Sequence, residues 1–153
     1  MVPTLLVVDD EAAARYALRQ AFQQHYRVVE AASVMEARER LRADRPAVVL
    51  LDYHLPGEDG LALLGEIGRG PEAPAVIMIT AHGSERVAVE AMKAGAYDYL
   101  AKPYELDELR LVVARAVERQ QLRSEVHDLR ERLAAEGQFG AMIGSSPATR
   151  SAS

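Results

Sequence analysis

Cysteine is absent from this sequence of 153 residues. The chain can therefore form no disulfide bond and no thiolate zinc site, and it has no cysteine nucleophile. No apolar stretch approaches the roughly 20 residues that a membrane-spanning helix needs. The first nine residues lack a basic segment ahead of their short apolar run, so they do not have the pattern of a signal peptide. These absences predict a cytoplasmic protein that makes no contact with a membrane.

An excess of basic charge is also missing, because the net charge is -5. A nucleic-acid-binding surface that covers a whole chain is usually basic, so we expect no direct nucleic-acid contact. Hydrophobic residues make up 49% of the chain and charged residues 27%, which is ordinary for a soluble globular protein. The length allows one domain with a proper core and little else.

Short apolar runs are present, and they predict strands. The runs at residues 5–8, 48–51 and 76–79 have the character of strands buried on both faces. Two weaker strands are predicted at residues 27–30 and 97–100.

Helical patterns occupy the gaps between these strands. The first covers residues 11–24, the second opens with a capping box at Ser33–Glu36 and ends before Pro46, and the third covers residues 61–67. In the fourth, Ser84 can cap a helix that runs to Ala94, with Gly95 at the position after its end.

The alternation of strand and helix is repeated five times. It predicts an α/β fold, a doubly wound parallel sheet of five strands with helices on both faces. The flavodoxin-like order 2-1-3-4-5 is the commonest arrangement for such a sheet.

The last helix is predicted to be longer than the sheet can cover, from about residue 106 to about residue 136. Leu109, Val113, Ala116 and Val117 are expected to face the sheet. Beyond them, apolar residues follow one another at spacings of four, three and four, namely Leu122, Val126, Leu129 and Leu133. This pattern is an a/d seam of about two heptads, which favours a homodimer through residues 106–136. The alternative is a solvated single helix that frays beyond Arg119.

Polar side chains stand where the predicted strands end. Asp9 and Asp10 follow the first strand, Asp52 the third and Thr80 the fourth, while Lys102 comes shortly after the fifth. The carboxyl ends of parallel strands form one edge of the sheet, where ligands bind. Any one of these residues alone is more often a turn former, a helix cap or a solvated lysine, but all five on one edge favour a shared site.

This set of side chains predicts phosphoryl-transfer chemistry. Three neighbouring carboxylates raise one another's pKa unless a cation lies between them, and oxygen ligands with room for water suit Mg²⁺, or Mn²⁺. A lysine and a hydroxyl can hold phosphate oxygens, and a carboxylate can act as the nucleophile and form an aspartyl phosphate.

Four segments of the sequence resemble the signature blocks of receiver domains of two-component response regulators. They are LLVVDDE at 5–11, LDYHLPGEDG at 51–60, ITAHG at 79–83 and YDYLAKP at 97–103. The resemblance covers about residues 3–118. It implies that a sensor histidine kinase supplies the phosphoryl group in a Mg²⁺-dependent reaction. The domain would catalyse its own phosphorylation and dephosphorylation without being a conventional enzyme.

The resemblance also implies a role for each site residue. Asp52 would be the phosphoacceptor, Asp10 a direct metal ligand with Asp9 assisting, and the backbone carbonyl of His54 a further ligand. Thr80 and Lys102 would contact the phosphoryl group, and the Lys102–Pro103 peptide bond would be cis. Tyr99 would be the switch aromatic that turns inward when Thr80 moves. His54 and His82 stand where the family tunes the phosphoryl lifetime, which the sequence does not fix.

The tail QFGAMIGSSPA at 138–148 resembles the start of the AAA+ ATPase domain of sigma-54-dependent activators of the NtrC type, although no Walker motif follows. The expected organisation is a receiver domain at 1–118, an extended fifth helix and coiled-coil linker at 106–136, and a linker stub at 137–153. The full-length protein would then act through an AAA+ domain on sigma-54 RNA polymerase. The signal would pass through the face formed by helix 4, strand 5 and helix 5.

Other interpretations remain open at this point. The receiver could serve a different output domain, or it could be a pseudo-receiver that binds a partner without being phosphorylated. A nucleotide- or flavin-binding domain would want a glycine-rich turn after the first strand, and Asp9–Asp10 occupies that place. A haloacid dehalogenase-type phosphatase would want an acid two residues after the nucleophile, where His54 stands.

Overall fold

The computed structural model describes residues 2–81 and 85–142, with side chains as far as residue 136. Five strands form one sheet, and every neighbouring pair is parallel. They are β1 (Thr4–Val8), β2 (Arg27–Ala31), β3 (Val48–Asp52), β4 (Ala75–Ala81) and β5 (Asp98–Lys102). Their order is β2-β1-β3-β4-β5, so the predicted fold class and strand order are confirmed.

Five helices follow the strands in turn. They are α1 (Ala12–Phe22), α2 (Val34–Asp44), α3 (Gly60–Ile67), α4 (Glu85–Lys93) and α5 (Leu106–Met142). At the start of α2, the Ser33 hydroxyl accepts the Glu36 amide as predicted. In a capping box the Glu36 carboxylate would accept the Ser33 amide, but here it accepts the Ala32 amide at 3.1 Å. Gly95 has φ +110°, as expected of a residue that ends a helix. The predicted cap Ser84 lies outside the described residues, as does His82.

The core consists of two apolar layers, one on each face of the sheet. Because side chains alternate along a strand, Leu5 and Val7 belong to one layer and Leu6 and Val8 to the other. The first layer packs against α1 and α5, and the second against α2, α3 and α4. The four α5 residues expected to face the sheet, from Leu109 to Val117, are all buried, which confirms that prediction.

Helix α5 continues well past the sheet, as one helix of 37 residues. The loop 68–74 between α3 and β4, which we call the strap, holds its middle part. The Arg123 guanidinium donates to the Arg69 carbonyl oxygen at 2.6 Å, and the Ser124 hydroxyl lies 3.5 Å from the Glu72 carboxylate. The seam residues Leu122, Val126, Leu129 and Leu133 are exposed. None of the described helices is apolar over a length that would cross a membrane.

A small antiparallel hairpin between β3 and α3 was not predicted. It pairs His54–Leu55 with Glu58–Asp59, and Gly57 makes its turn at φ +71°. The Glu58 carboxylate accepts the Val34 amide at 3.0 Å. The hairpin therefore ties the segment after Asp52 to the start of α2.

Candidate functional site

The carboxyl edge of the sheet brings the predicted residues together. Asp52 is the last residue of β3, Asp9 directly follows β1, and Lys102 is the last residue of β5. Carboxylate oxygens of Asp9, Asp10 and Asp52 lie within 4.8 Å of one another. The Lys102 Nζ atom lies 3.1 Å from Asp52 Oδ2 and 3.9 Å from Asp9 Oδ2. The convergence expected from the strand ends is thus observed.

The Asp52 carboxylate is buried, with 5% of the residue exposed, and both of its oxygens are held. Oδ1 accepts the backbone N–H of His54 at 2.9 Å, and Oδ2 accepts the Lys102 ammonium. One donor on each oxygen fixes the orientation of the carboxylate. The His54 side chain is exposed, and the hydrogen bond from its amide keeps its backbone beside the Asp52 carboxylate.

Asp9 is buried next to a second negative charge. Burial raises the pKa of its carboxyl group above the ordinary value, the hydrogen bond from the Glu11 amide opposes this, and the charge of Asp52 raises the pKa again. The Lys102 ammonium offsets only part of the effect. Ionisation of Asp9 is therefore electrostatically unfavourable, and a bound cation would stabilise the ionised carboxylate.

Lys102 supplies the one ammonium group near these carboxylates in the described part of the chain. Its partial burial alone would lower its pKa, but the hydrogen bond that it donates to Asp52 and the charges of Asp52, Asp9 and Glu11 hold that pKa above the usual value. Lys102 is consequently fully charged at neutral pH. A fixed positive charge at this point can bind an anionic oxygen.

Thr80 and Tyr99 lie on neighbouring strands beside this cluster. Thr80 is buried, and its hydroxyl donates to the Leu100 carbonyl oxygen at a long 3.5 Å. The Tyr99 side chain is 42% exposed on the outer edge strand. Among the described residues, the hydroxyl of Thr80 makes no hydrogen bond to Asp52. The Lys102–Pro103 peptide bond is cis, as expected.

The three carboxylates fit a hard divalent cation. They offer only oxygen donors, their oxygens are close enough to share one ion, and Asp10 is exposed, which leaves room for water ligands. Such a donor set matches Mg²⁺, which keeps part of its water shell in protein sites. The acidic pocket could therefore hold a metal ion.

Sequence reasoning missed three neighbours of the site. The Arg15 guanidinium donates to the Asp9 carbonyl oxygen at 2.7 Å. Gly60 lets α3 begin against β3, because a Cβ atom there would lie 3.2 Å from the Asp52 carbonyl oxygen. Tyr104 lines a small cavity with Asp9 and Asp52, and burial raises its pKa. Of these three, only Gly60 had a signal in the sequence, because Asp59 before it is a typical helix cap and glycine is typical of a close backbone approach.

Comparison with known proteins agrees with this geometry. The sequence pattern of the family described as "Response regulator receiver domain" matches residues 5–114. The regulatory protein AtoC of Escherichia coli (strain K12) is 37% identical over 145 residues, which is 94% of this chain and 32% of AtoC. The DNA-binding transcriptional regulator NtrC of the same strain is 41% identical over 113 residues, which is 72% of this chain and 24% of NtrC.

Solved structures show the same similarity. A crystal structure of NtrX from Brucella abortus superposes with a TM-score of 0.76 at 39% identity and covers 87% of this chain and 30% of that chain. The separate receiver domain of NtrX superposes with a TM-score of 0.69 at 39% identity, covering 74% of this chain and 98% of that chain. The described fold, the carboxylate cluster at its carboxyl edge and these similarities lead to one conclusion: the chain belongs to the response regulator receiver domain family.

Proposed function

We propose that this chain accepts a phosphoryl group on Asp52 from the phosphohistidine of a sensor histidine kinase, in a Mg²⁺-dependent reaction. The observation that carries the proposal is the state of Asp52. It is a buried carboxylate at a strand end, oriented by Lys102 and the His54 amide and flanked by two further carboxylates. A carboxylate fixed in this way is suited to act as a nucleophile.

Three carboxylates would hold the metal ion in this proposal: Asp10 directly, Asp52 beside it, and Asp9 as an assisting group. The backbone carbonyl of His54 would be a further ligand. Bound Mg²⁺ (or Mn²⁺) would neutralise the negative charge on the phosphoryl oxygens during the transfer.

The chain's own residues would carry out the transfer in one displacement. An Asp52 oxygen forms a bond to phosphorus while the P–N bond to the kinase histidine breaks, and the imidazole leaves with that electron pair. Lys102 moves its ammonium from Asp52 to a phosphoryl oxygen, and Thr80 donates its hydroxyl to another. Positioning and charge neutralisation supply most of the rate in reactions of this kind. Water later hydrolyses the acyl phosphate.

Phosphorylation would then change the surface formed by α4, β5 and α5. Movement of Thr80 toward the phosphoryl group would leave space that Tyr99 fills, which shifts the population between two packings. The exposed position of Tyr99 and the long contact of Thr80 suit the resting state of such a switch. These three elements expose several apolar side chains, namely Val89, Met92, Tyr99, Leu106 and Leu111.

The wider context of the proposal comes from the relatives. AtoC and NtrC are named as regulators, and this chain spans about a third of the first and a quarter of the second. We place a receiver domain at residues 1–118, an extended helix and dimer linker at 106–136, and a stub at 137–153, the first six residues of which still belong to α5 rather than to a loop. The full-length protein would be a cytoplasmic sigma-54-dependent activator whose AAA+ domain acts on sigma-54 RNA polymerase.

Intact-mass analysis after incubation with a small acyl-phosphate donor tests the phosphoacceptor proposal. We expect wild type to gain one phosphoryl group with Mg²⁺ and none with EDTA. Asp52→Asn should gain none, whereas Asp107→Asn, the same substitution at an exposed carboxylate on α5, should behave as wild type. A folded wild-type chain that gains no mass would overturn the proposal in favour of a pseudo-receiver, and a gain in Asp52→Asn would move the acceptor elsewhere.

A further inference from the structure

Arg15, in the first turns of α1, bridges two parts of the fold that meet behind the acidic site. Its Nη1 atom donates to the carbonyl oxygen of Asp9 at 2.7 Å. Its Nε atom lies 3.1 Å from the Glu30 carboxylate on β2. The side chain is only 18% exposed, so these contacts belong to a packed arrangement with little competition from water.

The hydrogen bond from Arg15 is the third that holds Asp9 in place. The Asp9 amide donates to the Ala31 carbonyl oxygen at 3.1 Å, and Asp9 Oδ1 accepts the Glu11 amide at 2.9 Å. With its carbonyl oxygen held by Arg15, Asp9 is fixed at its amide, its side chain and its carbonyl. The last of these sets the plane of the Asp9–Asp10 peptide, and that plane determines where the Asp10 side chain starts.

Glu30 orients the guanidinium that makes this contact. Its two carboxylate oxygens accept Arg15 at 3.1 Å and Arg19 at 2.6 Å. The positive charge of Arg15 is thereby paired, which removes most of its repulsion toward a cation in the acidic pocket. Arg19 also pairs with the Glu30 carboxylate, but among the described residues it makes no hydrogen bond to Asp9.

We propose that Arg15 is a positioning residue for the metal site, which acts through the Asp9 carbonyl oxygen to hold Asp10 in place for a divalent cation. The inference rests on the proposed function, in which Asp10 is the direct metal ligand. Groups that orient metal ligands from behind commonly change metal affinity by about 10- to 100-fold when they are removed.

The direction of the effect separates positioning from simple electrostatics. If only electrostatics mattered, loss of the positive charge of Arg15 would remove a repulsion and so tighten the binding of a cation by the three carboxylates. Loss of a positioning contact would weaken it. A purely structural role in joining α1 to β2 would lower the stability and leave the metal affinity of the folded chain unchanged.

Calorimetric titration of the whole chain with Mg²⁺ tests the inference with Arg15→Met and Arg19→Met. The two variants make the same substitution on the same helix, and both lose an ion pair with Glu30. We expect the Mg²⁺ dissociation constant to rise about tenfold in Arg15→Met and to stay within about twofold of wild type in Arg19→Met. Unchanged or tighter binding in Arg15→Met would overturn the inference.

Phosphorylation kinetics with the acyl-phosphate donor give a second readout. The Mg²⁺ concentration for half-maximal rate should rise in Arg15→Met by the same factor as the dissociation constant, while the rate at saturating Mg²⁺ stays within about threefold of wild type. If wild type binds Mg²⁺ but takes no phosphoryl group, the proposed function fails. If wild type is phosphorylated and Arg15→Met keeps its Mg²⁺ affinity, only the inference about Arg15 fails.

A conservative pair of variants covers the case in which Arg15→Met does not fold. Arg15→Lys keeps the charge, but a single ammonium group cannot span both Glu30 and the Asp9 carbonyl oxygen as a guanidinium does. We expect Mg²⁺ binding at least about threefold weaker in Arg15→Lys than in Arg19→Lys. Equal affinities in this pair would overturn the inference.

Discussion

Three carboxylates form the acidic site of this domain, and each one has a different environment. Asp52 is held by two donors and points into the pocket. Asp9 is buried beside it with a raised pKa, and Asp10 remains exposed. The fold therefore carries an electrostatic cost at the metal-free site, and this cost belongs mainly to ionised Asp9.

Replacement of Asp9 by asparagine should stabilise the metal-free chain at neutral pH. The folded-state pKa of Asp9 is raised, so its ionisation destabilises the fold. This penalty is absent below the ordinary pKa of Asp, grows between the ordinary and the raised pKa, and is complete above the raised one. Asparagine keeps the acceptor for the Glu11 amide. Urea unfolding in EDTA should show Asp9→Asn above wild type at pH 7.5, with the difference closing toward pH 4.

Addition of Mg²⁺ provides the control for this comparison. A cation that binds the folded state stabilises wild type by mass action, and Asp9→Asn should gain less because it lacks one carboxylate. Equal stability of the two proteins at every pH in EDTA would show that ionised Asp9 carries no penalty.

At the scale of elements, α5 depends on a narrow buried face. Leu109 is completely buried between α5 and the sheet, whereas Leu111, two residues along the same helix, is half exposed. The strap gives a second attachment, because Arg69 donates to the Lys93 carbonyl oxygen at the end of α4 while its own carbonyl oxygen accepts Arg123. The strap therefore joins α4 to α5.

Truncation of Leu109 should measure the contribution of the buried face. We expect Leu109→Ala to lower the free energy of unfolding by about 2–5 kcal/mol, from lost burial and the cavity left behind. Leu111→Ala, the same change at an exposed position, should lower it by less than about 1 kcal/mol. Chemical denaturation monitored by circular dichroism gives both values, and similar losses in the two variants would contradict the observed packing.

A methyl group at Gly95 should disturb the strap. The residue has φ +110°, and an added Cβ atom would lie 2.7 Å from Nε of Arg69. We expect Gly95→Ala to destabilise the chain by about 1–2 kcal/mol through backbone strain and displacement of Arg69. Gly70→Ala is the control, since a Cβ atom there meets no atom within 4 Å. A neutral Gly95→Ala would show that Arg69 moves aside at no cost.

At the scale of the whole molecule, the exposed seam on α5 is the feature without a partner in the described chain. Leu122, Val126, Leu129 and Leu133 are each about half exposed, and charged residues surround them. Apolar side chains repeated at heptad spacing are typical of a surface that pairs with another helix. This arrangement supports the proposed homodimer through residues 106–136.

Sedimentation of the seam variant Leu129→Glu should test that dimer. A charge at the centre of a paired seam would be desolvated, so we expect at least about a tenfold loss of self-association. Ala135→Glu adds the same charge on the opposite side of the helix and should leave association unchanged. A wild-type chain that is monomeric at high concentration would rule out the dimer. The same comparison after phosphorylation would show whether phosphorylation strengthens or weakens the dimer.

Much of this molecule follows from short-range patterns. Apolar runs predicted all five strands to within about two residues, and the strand ends predicted the cluster around Asp52. The hairpin at His54–Leu55, the Arg15 contact and the strap were not predicted. The hairpin is local, but its strands are only two residues long, so no alternating pattern announces them. The Arg15 and strap contacts are hydrogen bonds from a side chain to a backbone carbonyl oxygen. The strap contact joins Arg123 to Arg69, 54 positions away, and no local periodicity records such a contact.

The attachment of α5 by the strap has a mechanical consequence. The last strap contact is made by Ser124, and the helix runs on to Met142, so the free part is a rod of about 27 Å at 1.5 Å per residue. A tilt of about 10° at its base would carry its tip through about 5 Å, roughly one helical turn. The part of α5 beyond the strap is thus a lever arm that amplifies small displacements, and its fulcrum lies where Arg123 and Ser124 contact the strap.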